Sequence, residues 1–155
     1  SILFISEPGR EEEVVTRMAR VGYDNPIGYL EGGFQAWKEA GEDVDTLDEI
    51  EASEFANMYA DDVHLLDVRK ESEYDTEHIV GAENFPLDFI NKNMSQVDAD
   101  NKYYLHCAGG YRSVIASSIL KSRGYDNVVN IRGGYKALSD TDLNRTEYQE
   151  QITEL

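Results

Sequence analysis

The sequence contains a single cysteine among its 155 residues, and this scarcity limits what the chain can be. One thiol cannot form an internal disulfide, so a disulfide-stapled secreted scaffold is excluded and a reducing compartment, the cytoplasm, is expected. Histidine is also scarce: His64, His78 and His106 are far apart and do not have the spacing of metal ligands. We therefore expect neither a metal nor another cofactor in this chain.

Long apolar runs and basic residues are also lacking. No apolar run approaches the about 20 residues that span a bilayer, and no basic stretch is followed by an apolar one near residue 1, so we expect neither a membrane anchor nor a signal peptide. Lysine and arginine number 14 against 31 aspartates and glutamates, which gives a formal net charge of −17. This acidity argues against nucleic acid and anionic membranes as partners, because both require clustered positive charge.

Strand-like and helix-like stretches alternate along the chain, which predicts an α/β fold with a parallel sheet flanked by helices. The hydrophobic fraction of 41% is adequate for the core of one domain. From residue 50 onward, strands are predicted at 63–68, 103–106 and 127–131, and helices at 52–59 and 113–123. A short helix or turn is predicted at 71–77, and a last turn and helix from Gly133. A site is expected at the C-terminal edge of the strands.

Cys107 follows one of the predicted strands and begins the run Cys-Ala-Gly-Gly-Tyr-Arg-Ser. Gly109 and Gly110 allow backbone N–H groups to turn inward, and the start of the next helix adds unpaired donors and the positive end of its dipole. Arg112 adds a fixed positive charge. All of these favour the thiolate, so we predict a lowered pKa and a nucleophilic Cys107. The alternative is a small buried cysteine with a packing role.

The pattern Cys-x-x-Gly-x-Arg-Ser between a strand and a helix resembles the active-site loop of the rhodanese (sulfurtransferase) family. Further elements of that family recur in order over roughly residues 47–142. They are Asp67-x-Arg69 with Glu73-Tyr74 after it, the stretch from Glu77 to Ala82 with Glu77 replacing the usual glycine, Asn84-Phe85-Pro86, and the Gly-Gly-aromatic-x-Ala turn at 133–137. The resemblance implies a rhodanese-like parallel sheet flanked by helices.

The resemblance also implies a chemistry. In this family a cysteine thiolate takes the outer sulfur of thiosulfate or of a low-molecular-weight persulfide and passes it to cyanide or a thiol. Cys107 would carry the sulfur, Ser113 would help cap the following helix, Arg69 could hold the oxyanion end of a donor, and Asp67 would be a structural partner. The Arg112 side chain would pair with a carboxylate. The backbone amides of the loop would surround the terminal sulfur, and these amides belong to Ala108, Gly109, Gly110, Tyr111 and Arg112.

The sulfur donor and acceptor stay open at this point. The loop has no lysine and one arginine, and Tyr111 stands where a basic residue would help most in binding the thiosulfate dianion. A glutathione-type or protein persulfide is therefore an alternative donor. Because the chain has no second cysteine, the acceptor must be an outside molecule.

Three other functions compete with sulfur transfer. Cysteine phosphatases of the cell-cycle type share this fold, but their loop has one residue more between cysteine and arginine than the four between Cys107 and Arg112. A non-catalytic module that binds or regulates a larger enzyme is the main alternative. A redox sensor that uses Cys107 as a sulfenate ranks last.

The first residues repeat the end of the domain predicted at 50–142. Residues 22–25 repeat 124–127, and the turn at 32–37 repeats the turn at 133–138. We therefore predict that 1–41 are the C-terminal half of a second, inactive rhodanese-like domain, with Ile5 in the cysteine position. Residues 42–49 would form an acidic connector and 143–155 a polar tail, either a frayed helix or disordered.

A half-domain would leave a sheet edge and an apolar face exposed. We therefore expect it to pack against the complete domain, to pair with another chain such as a second copy in a dimer, or to be poorly ordered. Tandem rhodanese tails of this kind resemble those attached to metallo-β-lactamase-like proteins that handle persulfides. That resemblance implies a missing hydrolase-like region before residue 1.

Overall fold

The computed structural model describes residues 1–146, which divide after Thr46 into two compact units. Unit 1, Ser1–Thr46, consists of two strand–helix pairs whose strands form a parallel two-stranded sheet. These elements are β1 (Ile2–Phe4), α1 (Glu11–Arg20), β2 (Pro26–Tyr29) and α2 (Gly33–Glu39). Acidic side chains in the first turn of α1 and basic ones in its last turn complement the helix dipole.

Unit 2 begins at Leu47 and contains five strands and five α-helices within the described residues. The strands are β3 (Asp48–Glu51), β4 (His64–Asp67), β5 (Glu83–Asn84), β6 (Tyr103–His106) and β7 (Val128–Arg132). The helices are α3 (Ala52–Met58), α4 (Glu71–Thr76), α5 (Ile90–Asn93), α6 (Tyr111–Lys121) and α7 (Gly134–Leu138). Two 3₁₀ turns, Leu87–Phe89 and Met94–Gln96, flank α5.

The five strands of unit 2 form one parallel sheet in the order β3-β7-β6-β4-β5. Side chains alternate between its two faces, as in a strand with period two. Leu66 and Leu105 pack with α6 on one face, whereas Leu65 and Tyr104 pack with α3 and α7 on the other. Helices on both faces explain why most residues of the central strands β7, β6 and β4 are buried. The predicted α/β fold with a parallel sheet is confirmed.

The observed elements lie within two residues of most predicted boundaries. The strand predicted at 103–106 is observed at those residues, whereas the last strand is shifted by one position and the helix after Cys107 by two, which is the usual uncertainty at element ends. One prediction about the loop is wrong: Ser113 does not cap α6. Gly110, at a φ of 102°, occupies the N-cap position, and α6 begins at Tyr111, so Ser113 lies inside its first turn.

The backbone of unit 1 repeats features of unit 2. Ile2 N donates to Asn25 O at 3.0 Å, as Tyr103 N donates to Asn127 O at 2.9 Å. The glycine pair before each unit's last helix also has matching φ angles: Gly32 and Gly33 at 78° and 60°, Gly133 and Gly134 at 73° and 60°. The two units therefore share a strand–loop–helix–strand–turn–helix path.

This path corrects the residue assigned to the cysteine position in unit 1. A Cβ on Gly33 would collide with the Ser6 carbonyl oxygen, as a Cβ on Gly134 would collide with that of Cys107. Ser6, not Ile5, is therefore the counterpart of Cys107. Matching the arginines of the two loops gave the wrong register because Arg10 follows Ser6 by four positions, whereas Arg112 follows Cys107 by five.

The two units differ in how many of their residues are buried. Both hydrophobic clusters consist of residues of unit 2. Within residues 1–46, only Gly33 is buried, and Leu3, Val21 and Ile27 are more than half exposed. Unit 1 thus has no core of its own.

The chain past α7 returns to the segment after α4. Val80 N donates to Asn144 O and Thr146 N to His78 O, both at 2.9 Å, so 144–146 run antiparallel to 78–80. The predicted polar tail beyond Thr146 lies outside the described residues. In residues 1–146, no helix is both long and apolar enough to cross a membrane.

Candidate active site

Cys107 lies directly after β6, the middle strand of the sheet, at its C-terminal edge. Its residue is only 1% exposed. Gly110 N donates to Sγ at 3.1 Å, and Ser113 Oγ lies 3.7 Å from Sγ. The sulfur therefore sits against the start of α6, where backbone N–H groups have no partner within the helix.

These donors set the ionisation of the thiol. Burial opposes the thiolate, but hydrogen bonds from the backbone and hydroxyl of Ser113 and from the amides of Gly109 and Gly110 outweigh it and lower the pKa of Cys107. Hydrogen bonds to the charged form of a group favour that form. The loop is thus built to hold a sulfur anion.

Arg112 reaches away from the loop to Glu73 on α4. Its two terminal nitrogens donate to the two carboxylate oxygens at 2.6 and 2.9 Å, a bidentate pair. The hydrogen bond from Arg112 lowers the pKa of Glu73 to about 2. The same bond raises the pKa of Arg112, and the Cys107 side chain contributes to a lesser degree. The positive charge of the loop is therefore compensated by a carboxylate.

Arg69, which was predicted to hold the oxyanion end of a donor, is paired with a carboxylate of the protein itself. Its side chain is 6% exposed and forms an ion pair with the fully buried Asp67 at 2.6 Å. One terminal nitrogen also donates to the Glu77 carbonyl at 2.8 Å, and the guanidinium lies 4.0 Å from the centre of the Tyr135 ring. In this arrangement Arg69 supports the fold with Asp67 as its partner, and its contact with a donor stays a prediction.

The glycine turn before α7 supports the loop from the other side. Tyr135 N donates to the Cys107 carbonyl at 2.6 Å and Lys136 N to the Ala108 carbonyl at 3.1 Å. Gly134 is required here because any side chain would strike the Cys107 carbonyl and because its φ of 60° is left-handed. The first two peptides of the loop are thus fixed by hydrogen bonds from α7.

His106 precedes Cys107 and is completely buried. Its Nδ1 lies 3.3 Å from the Cys107 carbonyl oxygen and its Nε2 lies 3.8 Å from an Asp67 oxygen. Burial, the largest influence, lowers the pKa of His106 despite the opposing carboxylate. A neutral, packed imidazole follows, which agrees with a packing role.

The structure brings most of the predicted site residues together. Gly109, Gly110 and Ser113 contact the sulfur or lower the pKa of its thiol. Ala108 contributes its carbonyl to the contact with α7, and Tyr111 is 80% exposed as the first residue of α6. Within residues 1–146, no group of three or more His, Cys, Asp or Glu side chains is arranged to hold a metal ion.

The model of the rhodanese-like domain family matches residues 51–141. The chain belongs to this family. A sulfurtransferase from Allochromatium vinosum is 33% identical over 90 residues, which cover 57% of this chain and 84% of the relative. Two other curated relatives, both from Bacillus subtilis (strain 168), are 35% and 28% identical, and the chain spans only 57% and 55% of their lengths.

Solved rhodanese-like structures share the fold. A rhodanese-like domain protein from Staphylococcus aureus matches with a TM-score of 0.58 and 31% identity over 63% of this chain and 97% of its own. A thiosulfate sulfurtransferase from Pseudomonas aeruginosa matches 92% of this chain and 31% of its own, with a TM-score of 0.52 and 23% identity. The second similarity concerns the fold alone, and it extends over both units.

Sequence reasoning missed some residues of this rhodanese-like site. It predicted a carboxylate partner for Arg112 without naming Glu73, which was visible as an acidic residue in the motif after Asp67 and Arg69. It identified the glycine turn at Gly133 but not its contact with the loop. Only the fold brings these distant segments together.

Proposed function

We propose that this rhodanese-like domain is a sulfurtransferase that carries sulfane sulfur as a persulfide on Cys107. The observation that carries the proposal is the position of Sγ, which accepts a hydrogen bond from Gly110 N at 3.1 Å at the start of α6. A lowered pKa supplies the thiolate, the reactive form in sulfur exchange. The similarity to a sulfurtransferase from Allochromatium vinosum supports the same reaction class.

The reaction consists of two displacements at sulfur. The Cys107 thiolate attacks the outer sulfur of the donor, the donor's S–S bond breaks, and sulfite or a thiolate leaves with the bonding electron pair. The product is a persulfide anion on Cys107, which the amides of Gly109 and Gly110 would stabilise. A thiol or cyanide acceptor then attacks the outer sulfur, and the Cys107 thiolate leaves. No external oxidant or reductant is needed.

The charges around the loop favour a persulfide of a small thiol over thiosulfate. Arg112 is paired with Glu73 and Arg69 with Asp67, so both guanidinium charges near the loop are compensated. A thiosulfate dianion needs positive charge that these pairs do not provide. Both donors therefore belong in the test.

The test is steady-state sulfur transfer to cyanide, with thiosulfate and glutathione persulfide as separate donors. We expect thiocyanate formation that the Cys107→Ser variant lacks, with a higher kcat/KM for glutathione persulfide. Higher efficiency with thiosulfate would overturn the donor preference alone. No transfer above the serine variant with either donor would overturn the proposed activity.

The second candidate is a non-catalytic module that binds or regulates a larger metallo-β-lactamase-like enzyme. The 1% exposure of Cys107 favours it, because a donor must reach a sulfur that is almost covered. This candidate predicts that the parent chain transfers no more sulfur than the Cys107→Ser variant and that both bind the larger enzyme equally well. The transfer assay therefore separates the two functions.

We also propose that residues 1–41 are the C-terminal half of a second rhodanese-like domain. The shared backbone path, the matching glycine angles and the two-unit similarity to the Pseudomonas aeruginosa structure support this. With Ser6 in the cysteine position, this half could not carry a persulfide. A hydrolase-like region before residue 1, a dimer through the half-domain and a cytoplasmic location stay predictions.

A further inference from the structure

The contacts of Arg145 connect the end of the described chain with the cysteine loop. Arg145 lies outside residues 51–141, the range that the family model matches. Its Nη1 donates to Glu77 Oε1 at 2.8 Å. The Tyr135 hydroxyl donates to the same oxygen, so one carboxylate joins the arginine and the tyrosine.

Tyr135 links Glu77 to Cys107, the proposed nucleophile. Its backbone N–H donates to the Cys107 carbonyl at 2.6 Å, and its ring lies 4.0 Å from the Arg69 guanidinium. The ring, the hydroxyl and the backbone of one residue are thus held at three points. A shift of the ring would move the peptide after Cys107, whose orientation determines where the following amides point.

The segment that contains Arg145 is itself fixed. Backbone hydrogen bonds from Val80 N to Asn144 O and from Thr146 N to His78 O hold it against the residues after Glu77. His78 N also donates to Thr146 Oγ1 at 3.0 Å. Arg145 therefore reaches Glu77 from a defined backbone position and not as a free surface side chain.

We propose that Arg145 is a positioning residue that acts through Glu77 and Tyr135 to keep the Cys107 loop in the geometry that stabilises the thiolate. This inference rests on the proposed role of Cys107 as the nucleophile. Arg145 does not touch the reacting sulfur. Its hydrogen bond holds the Glu77 carboxylate, which accepts a hydrogen bond from the Tyr135 hydroxyl. The backbone N–H of Tyr135 in turn holds the Cys107 carbonyl, which belongs to the first peptide of the loop.

The test measures the pH dependence of iodoacetamide alkylation in the full chain, where Cys107 is the only cysteine. Arg145→Gln should move the midpoint of the alkylation profile upward by about half a unit to one unit, since a misplaced loop weakens a hydrogen bond to the thiolate. Sulfur transfer should fall about threefold to tenfold in kcat, with KM for the donor changed less. Arg145→Lys should recover part of both losses because it keeps the charge.

Two further variants separate positioning from simple loss of charge. Tyr135→Phe removes no charge, yet it should move the alkylation midpoint in the same direction, and the double variant should change it by less than the sum of the single variants. Arg123→Gln is the matched control, since Arg123 lies two residues beyond the C-terminal end of α6 and donates to Asn91 on α5. It should leave the profile unchanged.

A folded Arg145→Gln variant with the parent's alkylation profile would overturn the proposal, as would strictly additive effects of the two substitutions. Thermal unfolding of each variant shows that it is folded. If the parent chain transfers no sulfur, the proposed function fails, yet the alkylation profiles still decide whether Arg145 positions the loop.

Discussion

At the scale of single residues, the site is a sulfur atom whose charge is stabilised mainly by neutral donors. Gly109, Gly110 and Ser113 favour the thiolate against the cost of burial. The one arginine of the loop contributes less, because its charge is matched by Glu73 at 2.6 Å. Such a cradle suits one sulfur anion better than a multiply charged oxyanion.

The ion pair between Arg112 and Glu73 should make the stability of the fold depend on pH. The folded state holds the pKa of Glu73 at about 2, below its ordinary value of about 4.3, so the pair stabilises the fold above that ordinary value and loses its effect as pH falls toward 2. Glu73→Gln should therefore be less stable than the parent at pH 7, and the difference should shrink between about pH 4.3 and 2.

Urea unfolding midpoints at pH 7, 4 and 3 measure this effect. Glu71→Gln is the matched control, because it makes the same change in the same first turn of α4. It should show a smaller difference at pH 7. If Glu73→Gln lowers the urea midpoint by the same amount at all three pH values, the result contradicts the account.

At the scale of elements, the packing of α7 on the loop after β6 determines the site. Gly134→Ala should place a methyl group against the Cys107 carbonyl and force a left-handed alanine. The backbone strain alone costs about 1 kcal/mol. We expect the collision to raise the loss of unfolding free energy to at least about 2 kcal/mol and to lower sulfur transfer, because the loop must shift.

Gly124→Ala provides the comparison for this prediction. Gly124 has a φ of 90° with open space where a Cβ would be, so the substitution introduces strain without a collision. Chemical denaturation and transfer rates of both variants separate the two effects. Equal losses in the two variants would show that the contact of Gly134 with the loop is unimportant.

Much of the element-level structure was predictable from the sequence. Alternation of strands and helices gives the parallel sheet, and Cys107 follows its middle strand because the apolar pattern ends there. The one-residue error at Ile5 arose because two arginines were matched across loops of unequal length. The links from Arg112 to Glu73 and from Tyr135 to Cys107 join segments far apart in the sequence, and local patterns carry no information on such contacts.

At the scale of the whole molecule, the two units differ in how many hydrophobic residues each of them buries. Both hydrophobic clusters consist entirely of residues of unit 2, and within residues 1–46 only Gly33 is buried. A chain that buries so little cannot offset its loss of conformational entropy. We therefore expect unit 1 to require surfaces outside itself in order to fold.

A deletion of residues 1–46 tests this division. The remaining chain should fold cooperatively and load sulfur as the full chain does, because it keeps the core and every residue of the cysteine loop. Residues 1–46 alone should show the circular dichroism and amide exchange of an unfolded chain. Loss of folding in the shortened chain, or protected amides in the isolated segment, would contradict the account.

The most direct test of the central claim is the intact mass of the chain before and after exposure to glutathione persulfide or thiosulfate. The account predicts a gain of one sulfur atom that cyanide or a thiol reverses and that Cys107→Ser does not show. An unchanged mass with both donors would contradict it and would leave the domain as a binding module.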